Sequence, residues 1–282
     1  MSTSTTVTSE MGTYLDRIVE AHRTSASADP RPLGALRDAA LAHADTVARR
    51  DFVSALTVAG LSVIAEIKRR SPSKGALNAM LDPAATARSY ADGGAACLSV
   101  LTDVDHFGGS VHDLQTARAA VTLPVLRKDF TVCEADVYDT SLMGADAVLL
   151  IVAALSDVEL VTLLTVANEL HLASLVEVHD EAELERAVAA GAVLIGVNQR
   201  DLRTFEVDTQ RAVRVAAAMP SHVVRVAESG VRDRDDAAVL AAAGFNAVLV
   251  GESVVTAGDP AAAVAALRSV EAPVTVSTRT DG

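Results

Sequence analysis

Four stretches of this chain repeat one arrangement, in which an alanine-rich run ends at glycine and an apolar, β-branched run follows at once. They are GGAACLSVL, GADAVLLIV, GAVLIGVN and GFNAVLVG, marked by Gly94, Gly144, Gly191 and Gly244 and spaced 50, 47 and 53 residues apart. Such a spacing is too long for one strand-helix unit and about right for two. A second set of apolar runs falls in the gaps: LSVIAEIK from Leu61, PVLRKD from Pro124, LASLVEV from Leu172 and VVRVAES from Val223. Eight strands result. Helical patterns separate them, over Asp82 to Gly93, Ser110 to Ala120, Glu134 to Met143, Ser156 to Leu170, Asp180 to Ala190, Asp208 to Ala218 and Arg232 to Ala243, with a last one from Asp259 to Leu267. Near-continuous apolar strands alternating with helices require a parallel sheet covered on its outer face. Eight such units in 282 residues favour an α/β architecture closed as a (β/α)8 barrel over an open doubly wound sheet, and no G-x-G-x-x-G follows the first strand.

Ahead of the first strand, Tyr14, Leu15, Ile18, Val19 and His22 share one helical face, and Leu33, Leu36, Ala40 and Leu41 mark a second helix. The expected organisation is residues 1–10 as a mobile N-terminus, residues 11–270 as one barrel with a helical extension over about 11–48, and residues 271–282 as a mobile tail.

Charge and composition exclude several function classes. A formal net charge of −13 argues against a general nucleic-acid surface, which needs clustered lysine and arginine. The start of the chain has no basic segment leading into an apolar one, and no apolar run approaches the ~20 residues that span a bilayer, so a soluble cytoplasmic protein without a membrane partner is expected. Cys97 and Cys133 stand alone, without a C-x-x-C or a neighbouring histidine pair, and read as ordinary thiols with no metal site. Only three of the 24 basic residues are lysine: Lys68, Lys74 and Lys128. Arginine stays protonated whereas a lysine's proton affinity follows its surroundings, so these positions are candidates for proton transfer.

Polar residues interrupt the strand ends, where barrels of this kind place their active sites. Glu66 and Lys68 close the first strand two residues apart and therefore face the same side. Lys128-Asp129 closes the third strand, Glu177 the fifth, Asn198 the sixth and Glu228-Ser229-Gly230 the seventh. Charges in a barrel mouth are costly to desolvate unless paired, and pairing shifts their proton affinities. The bland alternative is an ion-pair network that closes the top of the core without chemistry. Gly230 after the seventh strand and Gly251-Glu252-Ser253 after the eighth occupy the two loops that commonly bind phosphate through backbone N–H groups. SPSKG, residues Ser71 to Gly75, is suited to a lid or anion contact, or equally to a solvated turn.

The segments IAEIKRRSPSKG, SVLTDVDHFGGS, LPVLRKDF, LVEVH, GVNQRDL, AESGV and VLVGES resemble those of the indole-3-glycerol-phosphate synthase family in order and spacing, from about Tyr14 to Leu267. The resemblance implies ring closure, decarboxylation and dehydration of 1-(2-carboxyphenylamino)-1-deoxyribulose 5-phosphate, a small sugar-phosphate substrate, with no metal and no organic cofactor. It implies that Lys128 is the general acid at the sugar carbonyl, that Lys68 and Glu66 are a second acid-base pair serving dehydration, and that Glu177 sets the charge of the lysines. Asn198 and Glu228 would hold sugar hydroxyls and the developing intermediate, Arg200 and Ser71 the anthranilate carboxylate, and Ser229, Gly230, Gly251 and Ser253 the phosphate. Phe130 and Leu202 would wall the aromatic pocket. Gln199, Val254 and Val255 depart from the family's usual residues, and tuning of the pocket edge is expected from them. Nothing in these features sets an oligomeric state. The rival readings are another phosphate-binding barrel, such as phosphoribosylanthranilate isomerase, the tryptophan synthase α subunit or a Schiff-base aldolase, and a barrel paralogue serving a secondary pathway or silent binding. Phosphate loops fit all of the barrel enzymes, but Glu66-Lys68 together with Lys128 fits only the first reading.

Overall fold

Alternation of side chains along eight parallel strands decides which residues fill the barrel and which meet the helices. The computed structural model describes residues 13–72, 74–201 and 206–271; the segments expected to be mobile lie outside the described residues except for Glu271, as does Leu202. The strands are β1 (Ser62–Ile67), β2 (Cys97–Leu101), β3 (Val125–Lys128), β4 (Ala147–Ile151), β5 (Ala173–Val178), β6 (Leu194–Asn198), β7 (Val224–Glu228) and β8 (Ala247–Val250). All pairings are parallel, and β1 bonds both β2 and β8, which closes the barrel. A short antiparallel pair, Arg70–Ser71 with Gly75–Ala76, decorates the loop after β1.

Helices α4 (Pro83–Asp92), α5 (Val111–Ala120), α6 (Glu134–Leu142), α7 (Asp157–Glu169), α8 (Glu181–Ala189), α9 (Arg211–Ala216) and α10 (Arg234–Ala242) follow β1 to β7 in turn. The four-residue α11 (Glu252–Val255) and then α12 (Pro260–Arg268) follow β8. Their starts are set by side chains that satisfy the first backbone N–H groups: Asp82 with Pro83 behind it for α4, Ser156 paired with Glu159 for α7, and Asp180 for α8. The helix expected from Asp208 to Ala218 is shorter. The Asp208 carboxylate accepts from Gln210 N and from Arg214, a local turn that delays the helix to Arg211.

Two cores result. Ile64, Leu126, Leu149, Leu175, Val226 and Leu249 point inward and pack with Phe52 and Leu56. Their neighbours in sequence, among them Val63, Val148 and Val176, point outward against the helices. Burial of each such Leu or Ile contributes roughly 1.5–3 kcal/mol relative to exposure. Phe52 and Leu56 belong to α3 (Phe52–Leu56), capped by Asp51 and not foreseen from sequence, which plugs the end of the barrel where the strands begin.

The extension forms α1 (Tyr14–Ser27) and α2 (Leu33–Thr46). Leu15 and Ile18 of α1 are buried, and His22 Nε2 lies 3.1 Å from Asp103 Oδ2 and 4.0 Å from Asp129 Oδ1. The hydrogen bond to Asp103 raises the His22 pKa above its ordinary 6.5, burial opposes it, and the charges of Asp129, Asp103 and Asp136 add to the rise. A folded-state pKa above the unfolded one stabilises fully below 6.5 and loses that stabilisation as pH rises through the folded value. The clasp should therefore contribute on the order of 1 kcal/mol in acid and fade in alkali. Thermal melts of the parent and a His22→Gln variant should differ most at pH 6 or below and converge in alkali; a difference that grows with pH would contradict the pairing.

Candidate active site

The inward period of two carries the site. In β1 the order is Ile64, Glu66, Lys68; in β3 Leu126, Lys128; in β5 Leu175, Glu177; in β6 Leu194, Gly196, Asn198; in β7 Val226, Glu228. Each apolar member lies in the inner core, and each polar member two or more residues on lines one cavity of about 860 Å³ at the strand ends. All six expected catalytic residues are thus brought together. Gly196 makes the space: a Cβ there would overlap Glu228 Oε1. Gly251 does the same on the other side, where a Cβ would overlap Glu66 Oε1 and lie 3.1 Å from Lys68 Nζ.

Two ion-pair groups face each other. Lys68 Nζ donates to Glu66 Oε1 at 2.5 Å. Lys128 Nζ lies 3.4 Å from Glu177 Oε2 and 3.8 Å from Glu228 Oε2, and Asn198 Nδ2 donates to Glu177 Oε1 at 3.0 Å. Burial alone would push the Lys128 ammonium down, but Glu177, Glu228 and Glu66 together outweigh it and the net direction is up. The acidic cage, not burial, therefore sets how firmly this proton is held. Burial and then the Glu177 charge push the Glu228 carboxyl well above its usual range. Glu177 moves the other way: burial resists ionisation, but Lys128, His179 and the Asn198 amide hold it down. The two carboxyls therefore sit in unlike environments, Glu228 drawn toward its protonated form and Glu177 toward its anion.

The opposite side is built for a different group. Ser229 and Gly230 both have positive φ, 64° and 75°, and Gln199 Nε2 holds this turn by donating to Ser229 O at 2.7 Å. Ser253 Oγ donates to Val231 O at 3.0 Å, tying the β7 and β8 loops together. In α11 the first intrahelical bond comes from Val255 N, and no side chain caps the helix, so the N–H groups of Glu252 and Ser253 have no intrahelical acceptor. Lys74 lies 3.6 Å from Glu252 across the mouth, the place a lid residue would occupy.

The third wall is apolar. Phe130 packs against Phe107 at 6.3 Å between ring centroids and against His22 at 5.4 Å, and Tyr14, Leu15 and Ile18 of α1 complete the wall. Ser71 and Arg200 line the same cavity. Phe107 and the α1 residues were missed as cavity residues, although the face shared by Tyr14, Leu15 and Ile18 was legible. Gln199, Val254 and Val255 do not line the cavity: Gln199 holds the Ser229 turn through its side-chain amide, and both valines are buried residues of α11 itself. The structure therefore places none of the three at the pocket edge, where tuning was expected from them. Burial and then Asp136 push the Cys133 thiol up to about 11, so it is not a thiolate at neutral pH.

The sequence matches the family described as indole-3-glycerol phosphate synthase over residues 15–267. It is 50% identical over 256 residues to the indole-3-glycerol phosphate synthase of Mycolicibacterium vanbaalenii, covering 90% of this chain and 93% of that protein. It is 54% identical over 218 residues to the protein of the same name from Streptomyces griseus, covering 77% and 81%. Among solved structures, a thiamine phosphate pyrophosphorylase from Pyrococcus furiosus shares the fold at a TM-score of 0.57 and 17% identity, over 74% of this chain and 94% of that one.

Proposed function

The chain belongs to the indole-3-glycerol phosphate synthase family, decarboxylating lyases of tryptophan biosynthesis, and from that premise we propose how its residues divide the reaction. The substrate, 1-(2-carboxyphenylamino)-1-deoxyribulose 5-phosphate, loses carbon dioxide and water as an indole ring closes. Lys128 is the general acid. An ammonium held charged by surrounding carboxylates protonates only a strong base, and the carbonyl oxygen becomes one as the ring carbon bonds to its carbon. Loss of carbon dioxide then returns the bonding pair to the ring. Dehydration needs a proton on the new hydroxyl and removal of one from the adjacent carbon, tasks assigned to Lys68 and Glu66, which already share a hydrogen bond. Glu228, carrying its proton, donates to a substrate oxygen, and Asn198 orients Glu177 beside Lys128. The observation that carries this reading is the convergence of Lys128, Glu177 and Glu228 within 3.8 Å contacts at one rim.

The aryl group lies against Phe130, Phe107 and the α1 wall, with its carboxylate toward Arg200 and Ser71. The phosphate sits between the Ser229-Gly230 turn and the Gly251-Ser253 loop, far enough from the reacting carbons to position without taking part. Lys74 neutralises Glu252 at that end. A small phosphorylated substrate is the partner, and no helix among the described residues is long and apolar enough to cross a membrane.

The direct test is purified protein with this substrate, followed by indole fluorescence and carbon dioxide release; absence of both would end the reading. The phosphate assignment is tested separately by Gly230→Asp, which adds a charge and a Cβ that would lie 2.5 Å from Val207 Cγ1 at a left-handed position. KM should rise roughly 10- to 100-fold, the equivalent of about 1.4–2.7 kcal/mol. An unchanged KM in a folded variant would remove the phosphate from this turn.

A further inference from the structure

His179 follows the end of β5, two residues beyond Glu177, and its ring lies against the Glu177 carboxylate. Its side chain is only 12% exposed. Glu183 Oε2 accepts the His179 backbone N–H at 2.8 Å and lies 3.0 Å from ring Nδ1. An ionised carboxylate accepts but does not donate, so Nδ1 carries the hydrogen. The other ring nitrogen, Nε2, is buried, has no hydrogen-bond partner among the described residues, and faces Glu177 Oε1 at 3.7 Å. A lone pair aimed at a carboxylate is repelled, whereas an N–H there is attracted, so the geometry favours the doubly protonated ring. The charged groups around it are Glu177 from β5, Glu183 from α8 and Arg211 from α9.

We propose that His179 is a positioning residue that holds the Glu177 carboxylate between its own ring and Lys128, and through that shared anion governs proton delivery from Lys128. Glu177 then has three donors converging on it: the Asn198 amide and the imidazolium on Oε1, and the ammonium on Oε2. With the ring charged, Lys128 shares its counter-ion and is the better acid. When the ring loses its proton, Glu177 answers to Lys128 alone, the ammonium holds its proton more tightly, and ring closure slows. Burial opposes the charge on the ring, but Glu183 and Glu177 raise its pKa above 6.5 while Arg211 works against them. The active form therefore persists to higher pH than an ordinary histidine would allow and is lost as pH rises through that raised value.

The inference rests on the assignment of Lys128 as proton donor. It is tested on the intact chain carrying isotopically labelled histidine, with the His179 resonance identified by its loss in His179→Gln. The ring should titrate above 6.5, and its midpoint should fall by about one unit, tenfold in proton affinity, in Glu183→Gln. The alkaline limb of kcat should move down in pH with it. His179→Gln should show kcat about tenfold below the parent on the acid side of the midpoint with KM unchanged, and the two proteins should converge on the alkaline side, where the parent has lost the same charge. A midpoint at or below 6.5, or a parent-to-variant ratio of kcat that does not vary with pH, overturns the proposal. Lys128→Ala separates the two failures. If it is inactive while that ratio is flat, only the role of His179 falls; if it turns over normally, the role of Lys128 falls and that of His179 with it.

Discussion

Replacing Lys128 with alanine is expected to lower kcat by about 10²- to 10⁴-fold while the folded variant still binds substrate. The ammonium is the cation lying between Glu177 and Glu228, 3.4 and 3.8 Å from their oxygens, and its side chain is 17% exposed. Truncation removes the proton that the closing carbonyl requires and leaves two buried carboxyls facing each other. The cost falls on Glu177, whose anion Lys128 helps to hold, and which then takes up a proton or draws in water. The Ser229-Gly230 turn, Phe107 and the α1 wall are carried by other elements and should keep the substrate in place. Stopped turnover with the bound substrate intact, read by product fluorescence and equilibrium binding on one preparation, is the expected pair of results. Near-normal turnover would remove Lys128 from the chemistry. Lys128→Arg should not rescue, since a guanidinium restores the charge but brings a broader planar group and no readily transferable proton.

The same residues show how far the sequence could be read. Period-two alternation with glycine-marked strand starts was enough to place eight strands, to put Glu66 and Lys68 on one side, and to set Lys128, Glu177, Asn198 and Glu228 at strand ends, because strand geometry leaves only two choices of side. It could not reveal the glycines that make room for the charges. Gly196 and Glu228 lie on neighbouring strands, and a clearance between strands leaves no trace in either one's pattern. The five-residue α3 is shorter than any helical period can register, although it seals the barrel floor. The α1 face of Tyr14, Leu15 and Ile18 was legible as a packing surface. That it packs on a cavity and not on a solid core depends on the loop after β2, where His106 meets Tyr14 and Asp103 meets His22. His179 sits one residue past the end of its strand, where alternation ceases to bind, so only its contacts to Glu177 and Glu183 give it a part in the site.

At the other end of the barrel, Asp146→Ala should be among the most destabilising single substitutions while leaving kcat per folded molecule unchanged. Asp146 is 1% exposed and spends both carboxylate oxygens: Oδ1 accepts Arg50 N at 2.9 Å and Arg118 Nη2 at 3.0 Å, and Oδ2 accepts Val125 N at 2.9 Å. It joins the segment between α2 and α3 to the start of β3 and to the end of α5. Arg49, Arg50 and Arg118 crowd the same region; burial pushes the Arg49 and Arg50 guanidiniums down, and Asp146 counters it. Removing the anion leaves buried cations without compensation and two backbone donors unpaired, a loss of about 3–5 kcal/mol. Against the 5–15 kcal/mol typical of folded domains that is roughly a fifth of the total or more, and should lower Tm by on the order of 10 °C. Asp146→Asn keeps one acceptor and should lose less, though its amide faces donors on the other side. Urea unfolding gives the energy, and active-site-normalised kcat gives the separation. A Tm within about 2 °C of the parent would mean that the arginines find water instead of needing the carboxylate. Unchanged chemistry beside a large stability loss is what a barrel should give when the catalytic rim and the floor are opposite ends of the same strands.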